Sequence, residues 1–174
     1  MNCLVPRMLG FERLTLGWPV YGFGAELLGQ NMVYPEEQAP GSDPGSPLMN
    51  FDNWRDIPAY DPDHTVACIT RENLQHMAQL SGIEPVAHRP APYSLAAEVL
   101  GQEPLIGALA LDPDFVQEFL GLIVTRFLTP WCEDLVANVP NVWLELSDPS
   151  VPSVTHVMAP VPSCDEVRKS LRVG

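Results

Sequence analysis

EPVAHR at residues 84–89 and VWLEL at residues 142–146 bracket the stretch that decides the fold. Each is a short run suited to a pleated, half-buried surface, and Pro85 places the first near a strand start rather than mid-sheet. Between them the chain reads as helix. Asp112 is a strong N-cap, and Pro113 takes the first helical position, where its missing N–H has no partner to lose. Val116, Phe119, Leu120, Ile123, Phe127 and Trp131 then recur at three- and four-residue spacing, as one apolar stripe. Asp114 and Glu118 lie toward the positive end of the helix dipole and Arg126 lies later. Pro130 is expected to kink or end this helix. A shorter helix is expected over Leu95–Leu100, capped by Ser94 and stopped by Gly101. Strand, helix and strand in that order over residues 84–146 favour a parallel α/β unit.

Working outward, Thr70 is expected to cap a helix running to about Leu80, with Leu74, Met77, Ala78 and Leu80 as its apolar stripe and Gly82 as its stop. Tyr21 to Gly29 reads as a glycine-bearing turn followed by a short helix, which Gly29 ends. Residues 35–65 read as one long irregular segment with Pro35, Pro40, Pro44, Pro47, Pro58 and Pro62. A loop of that length is usually functional or mobile, and Phe51, Trp54 and Ile57 are expected to pin its middle to the core. After Asp148 comes a proline-rich tail, residues 149–174, with a last helical turn expected over Asp165–Leu171.

The chain has 174 residues, 46% of them hydrophobic and 18% charged, which fits one globular domain over residues 1–174. Its net charge of −13 argues against nucleic acid and anionic membranes as partners and favours solubility. Cys3, Cys68, Cys132 and Cys164 form no CxxC pair, and Met1–Gly10 lacks a basic region followed by a long apolar run. No apolar stretch reaches the roughly 18 residues of a membrane span. The expectation is a cytoplasmic protein with reduced thiols. Phosphate-cradling glycine loops, the GxSxG elbow and the HExxH zinc motif are all absent from the sequence.

Three segments resemble landmarks of the uroporphyrinogen decarboxylase superfamily, which includes cobalamin-dependent methyltransferases. They are FGAELLG at residues 23–29, APYSLAAEVLGQE at 91–103, and LALDPDFVQEFLGLIVTRF at 109–127. VWLELSD, residues 142–148, is similar to the barrel strand that follows, with its terminal acid. The resemblance covers about residues 20–148 and implies a partial (β/α)₈ TIM barrel within the α/β class. A complete barrel takes about 250 residues and no fewer than roughly 200, so a truncated barrel is expected.

The departures favour the methyltransferase branch. No arginine-rich loop precedes Tyr21, no acid stands within Trp18–Gly22, and Glu98 takes the place of the tyrosine expected in the second landmark's helix. Nine basic residues against twenty-two acidic ones suit a polycarboxylate porphyrinogen badly. The resemblance implies methyl transfer from a corrinoid to a zinc-held thiolate, with zinc and a corrinoid partner possible only if the missing half of the barrel is supplied. No H-x-C zinc pair occurs, and His156 and Cys164 read as unrelated tail residues. A porphyrinogen-decarboxylating lyase and a non-catalytic barrel fragment remain open. A homodimer would cover the strand edges that an open half barrel exposes.

Barrel chemistry sits at the C-terminal ends of strands. That rule makes His88 and Asp148 the catalytic candidates. Arg89, Tyr93, Glu26 and Glu98 are the candidate substrate-binding residues, the substrate being a small molecule or a corrinoid protein. Each has a plainer reading: a structural histidine for His88, a salt-bridge partner for Arg89, core filling for Tyr93, solvated helix faces for Glu26 and Glu98, and a cap for Asp148.

Overall fold

The computed structural model describes residues 10, 13–16, 22–37, 40–81 and 84–147. Three parallel strands form its sheet: β1 (Arg13–Thr15), β4 (Glu84–Pro90) and β5 (Trp143–Ser147), in the order β1-β4-β5. Between β1 and β4 come α1 (Phe23–Leu27), the antiparallel pair β2 (Met32–Val33) and β3 (Gly41–Ser42), a 3₁₀ turn at Trp54–Asp56, and α2 (Thr65–Ser81). Between β4 and β5 come α3 (Pro92–Leu100), α4 (Gln102–Leu111), α5 (Pro113–Ile123) and α6 (Thr129–Asn138). Strands that run parallel and succeed one another across the sheet through helical crossovers are the repeat of an α/β fold. Among the described residues the sheet stays open and does not close into a barrel.

The strongest sequence signals hold. Asp112 caps α5, its Oδ1 accepting from the Phe115 N–H at 3.1 Å, and Val116, Phe119, Ile123, Phe127 and Trp131 are buried along one face. Gly29 takes φ +93° after α1, a conformation that only glycine adopts without strain. Gly24 lets α1 approach the end of β4, since a Cβ there would lie 2.8 Å from Pro90 Cγ.

Four local expectations are corrected. Thr70 lies buried within α2, which starts at Thr65; the start is fixed by His64, whose Nδ1 accepts from the Val66 N–H at 3.2 Å. Ser94 is likewise inside its helix, because Pro92 already supplies the first turn of α3. Residues 102–111, left without regular structure by the sequence reading, form α4; Pro104 falls in its first turn, where no intrahelical N–H bond exists to break. Pro130 neither ends nor breaks the long helix. Val124–Leu128 instead widen into a π turn, with the Thr129 N–H bonded to Val124 O. The Arg126 carbonyl, which Pro130 cannot serve, accepts from the Tyr60 N–H at 2.9 Å.

That bond is one of several that order the proline-rich segment. Gln30 is buried and bridges it, donating to Ser46 O at 3.0 Å and accepting from the Leu48 N–H at 2.7 Å. The Met49 N–H reaches Val99 O at 2.8 Å. Trp54 and Ile57 are buried as expected, whereas Phe51 is 55% exposed and only leans on Phe115, centroid to centroid 5.3 Å. The tail at 149–174, Gly82 and the turn over Asp165–Leu171 lie outside the described residues.

Phe119 on α5 is fully buried, while Leu111 at the end of α4 is 88% exposed. Phe119→Ala is expected to cost about 3–5 kcal/mol by leaving a cavity. Leu111→Ala is expected to stay within about 0.5 kcal/mol of the parent. Urea unfolding midpoints compare the two, and equal losses would overturn the placement of this helical layer.

Candidate functional site

Side chains alternate across a strand, and the register sorts the sheet into two faces. Arg13 pairs with Glu84, Val86 with Trp143, and His88 with Glu145. These residues share one face. Leu14, Ala87 and Leu144 belong to the other, against the helices, where they meet the hydrophobic core. His88 and Arg89 are adjacent in sequence and therefore point to opposite sides of β4.

On the face away from the core, charges are arranged in pairs along the strands. At the N-terminal end Glu84 accepts from Trp143 Nε1 and lies 3.5 Å from Arg13 Nε, while the Arg13 guanidinium covers the Trp143 ring at 3.4 Å. Four positions further along β4, His88 Nδ1 lies 3.4 Å from Glu145 Oε2. His88 is the more sheltered of the two, with side-chain exposure of 16% against 57% for Glu145. Chemically this is an imidazole–carboxylate pair near the C-terminal end of β4, able to hold or pass a proton. The sequence reading named His88 and missed Glu145. Alternation within VWLEL, together with a parallel register, was the signal that could have found it.

Arg89 is buried on the helix side, only 2% exposed. Its guanidinium covers the Trp131 ring of α6 at 3.9 Å. Nη1 donates to the His88 carbonyl at 2.9 Å, whereas Nε and Nη2 have no hydrogen-bond partner. Burial pulls its pKa down to about 10, a fall that nearby Cys132, Tyr60 and Asp134 oppose, so Arg89 stays charged at neutral pH. The neighbouring carboxylate is already committed. Asp134 Oδ2 accepts from Arg71 Nη1 and from the Tyr60 hydroxyl, each at 2.7 Å, and its Oδ1 accepts from Asn138 at 2.8 Å. Burial first, and then the bond to Asp134, hold the Tyr60 phenol well above its usual range. Arg89 is thus placed in the helical layer rather than on the face that carries His88.

The remaining candidates are dispersed. Tyr93 is a core residue at the start of α3, 3% exposed. Glu26 on α1 accepts from the Tyr34 hydroxyl at 3.3 Å. Glu98 on α3 has Oε2 buried without a partner, and burial alone lifts its pKa to about 8. No neighbouring carboxylate contributes to that rise. Asp148 lies outside the described residues. Among the described residues no three His, Cys, Asp or Glu side chains come together as a metal would require, so they do not by themselves fit a zinc site. No helix among them is long and apolar enough to cross a membrane.

A groove of about 710 Å³ lies away from the strand ends, on the helical layer. Phe51, Trp54 and Phe115 line it, with Pro104 and Leu111 of α4, and Arg55 and Glu118 pair across it at 3.2 Å. Its size suits a small ligand, but it holds none of the six candidate residues.

No protein-family model and no curated protein matches the sequence. A solved structure matches the fold. A methyltransferase from Methanosarcina mazei superposes with a TM-score of 0.59 over 86% of this chain, at 11% sequence identity. The likeness is one of fold, and it agrees with the mixed α/β architecture. The chain spans 56% of the length of that methyltransferase.

The Glu98 carboxyl gives a pH test. Its ordinary pKa is 4.5 and its folded value about 8. From pH 4.5 to about 8 the unfolded chain has released this proton while the folded chain retains it, so stability falls across that window. Glu98→Gln is expected to flatten the decline, gaining on the parent by on the order of a few kcal/mol between pH 5 and pH 8. Urea midpoints at both pH values measure it, and parallel profiles would refute the burial of this carboxyl.

Proposed function

We propose that this chain forms one sector of a (β/α)-barrel methyltransferase related to the corrinoid-dependent branch, and that its chemistry belongs to the sheet face carrying His88 and Glu145. The observation that carries the reading is the parallel β1-β4-β5 succession with helices on one side, combined with the superposition on a methyltransferase. The sequence landmarks at residues 23–29, 91–103 and 109–127 agree with it. In this reading His88 is the proton-handling residue, held by Glu145, and Asp148, next in sequence after β5, is a second candidate. The methyl acceptor is a small thiol, as the sequence resemblance implies. A corrinoid would supply the methyl group, and zinc would hold the thiol as thiolate. The described residues offer neither a full ligand set, so both need residues from another part of the barrel or another chain, such as a second copy.

The decarboxylase alternative is weaker, because its polycarboxylate substrate needs several cations on one surface. On the face of His88 the described cation is Arg13, already engaged by Glu84, while Arg89 points into the helical layer. A non-catalytic interaction subunit is favoured by a different observation. The large groove lies on the helical layer, lined by Phe51, Trp54 and Phe115, which suits a partner chain better than strand-end chemistry.

Absorbance titration with cobalamin, with the solution mass determined on the same sample, separates these readings. Saturable spectral change in a defined oligomer, weakened at least tenfold by His88→Ala, is expected for the methyltransferase reading. A folded, monodisperse sample that leaves the cobalamin spectrum unchanged would sink it and favour the interaction subunit.

A further inference from the structure

α4 is apolar along most of its length, Gln102–Leu111 reading QEPLIGALAL, yet Leu105 and Ala108 are its only buried residues. Ile106 is half exposed and Leu111 almost fully so. Leu111 lines the groove on the helical layer together with Phe51, itself more than half exposed. Large apolar side chains gathered in one open groove mark a surface that binds.

The charge of the groove restricts what can cover it. Asp112, Asp114 and Glu118 line it against one cation, Arg55. Arg55 is committed to Glu118 at 3.2 Å and lies over the Trp54 ring at 4.0 Å. Asp112 and Asp114, at the start of α5, therefore form an acidic edge that no described cation balances. Complementarity calls for a segment with an apolar side and several cations. Attraction between two whole copies is opposed by a net charge of −13 on each.

The chain carries such a segment. Residues 167–173 read VRKSLRV and hold three of the nine basic residues of the protein, Arg168, Lys169 and Arg172. The helical turn that the sequence predicts over Asp165–Leu171 would bring Val167 and Leu171 to one side at four-residue spacing, and Arg168 and Arg172 to the next. Asp165 and Glu166 would fall at its N-terminal end, where the dipole favours acids. The segment lies outside the described residues. Residues 148–166 link it to β5, and a linker of that length spans on the order of 60 Å when extended. A domain of this size is roughly 40 Å across, so the groove is within reach. Tethering supplies an effective concentration on the order of millimolar, which offsets the weak helicity of so short a segment.

We infer that Val167–Val173 docks in this groove within the same chain. Val167 and Leu171 cover Leu111 and Phe51, and the three cations meet the Asp112–Asp114 edge. The segment acts as a tethered cover: it takes the apolar groove out of water, and a partner chain must displace it to bind there. The inference concerns the groove alone and does not depend on chemistry at His88.

Val173→p-benzoylphenylalanine in the full chain sets a photoreactive group beside the segment. Irradiation of dilute protein should give adducts within one chain, mapped by mass spectrometry to Phe51 or to residues 102–118. Asp114→Lys should lower their yield roughly fivefold. Combining it with Arg168→Asp and Lys169→Asp should restore most of the yield, a rescue that loss of fold cannot give. Adducts on other surfaces only, or none from a folded sample, would overturn the inference. So would adducts between chains at this groove, which assign it to a second copy. A yield that Asp114→Lys leaves unchanged, or that the charge swap does not restore, would overturn it as well.

Discussion

Pro130 has no N–H to give to the carbonyl one turn before it, and much of the helical layer follows from how that deficit is met. A proline inside a long apolar stripe ordinarily kinks or ends a helix. Here the backbone widens by one residue over Val124–Leu128, with the Thr129 N–H reaching back to Val124 O. The freed Arg126 carbonyl is taken by the Tyr60 N–H. The widening carries Trp131 into the interior, where Tyr60 stacks on it at 6.3 Å and Arg89 covers it at 3.9 Å. The same turn thus anchors the end of the proline-rich segment, positions the largest buried side chain and gives the strand cation its neighbour.

Charge is distributed unevenly across the two faces of β4. The outward face pairs every described cation or imidazole with an acid on the next strand: Arg13 with Glu84, His88 with Glu145. Exposed pairs of this kind contribute little to stability, roughly 0–1 kcal/mol each, so their value lies in orientation. The helix-side face is the costly one. Arg71 and Asp134 form a short, mostly buried pair reinforced by Tyr60 and Asn138. Arg89 is left with an aromatic face and one backbone carbonyl. Such an arrangement is poor for stability by itself, which is why the guanidinium is the least economical feature of this layer.

What was legible in the sequence was local. Asp112-Pro113 marked a helix start because both residues act within one turn, and the stripe from Val116 to Trp131 marked its buried face by periodicity alone. Gly29 marked a stop because its φ demands glycine. What was illegible depended on neighbours. The start of α2 is set by the His64 side chain, which no N-cap preference ranks highly. Gln102–Leu111 went unassigned, and its helix starts with Pro104 in the first turn, where no intrahelical N–H bond is lost. β1 is three residues long and shows no period. For the site, strand alternation separates His88 from Arg89, which the strand-end rule alone had grouped together. The partners of each, Glu145 and Trp131, needed the parallel register and the π turn.

Parallel sheets are normally covered on both faces, and this constrains where chemistry can sit. The helix side of β4 is filled by Ala87, Trp131 and Leu74, all at most 1% exposed, and it leaves only a small cavity beside Arg89. The other face carries polar side chains in a graded order. At its N-terminal end Glu84 meets both Arg13 and Trp143. Toward the C-terminal end the His88–Glu145 pair is looser, with the carboxylate more than half exposed. A group that exchanges protons with a ligand needs an accessible partner, and a sheltered imidazole beside an exposed carboxylate has one. If the chain performs barrel chemistry, the functional end of the sheet is therefore the His88 end. Whatever covers that face must bring the further ligands that the described residues lack.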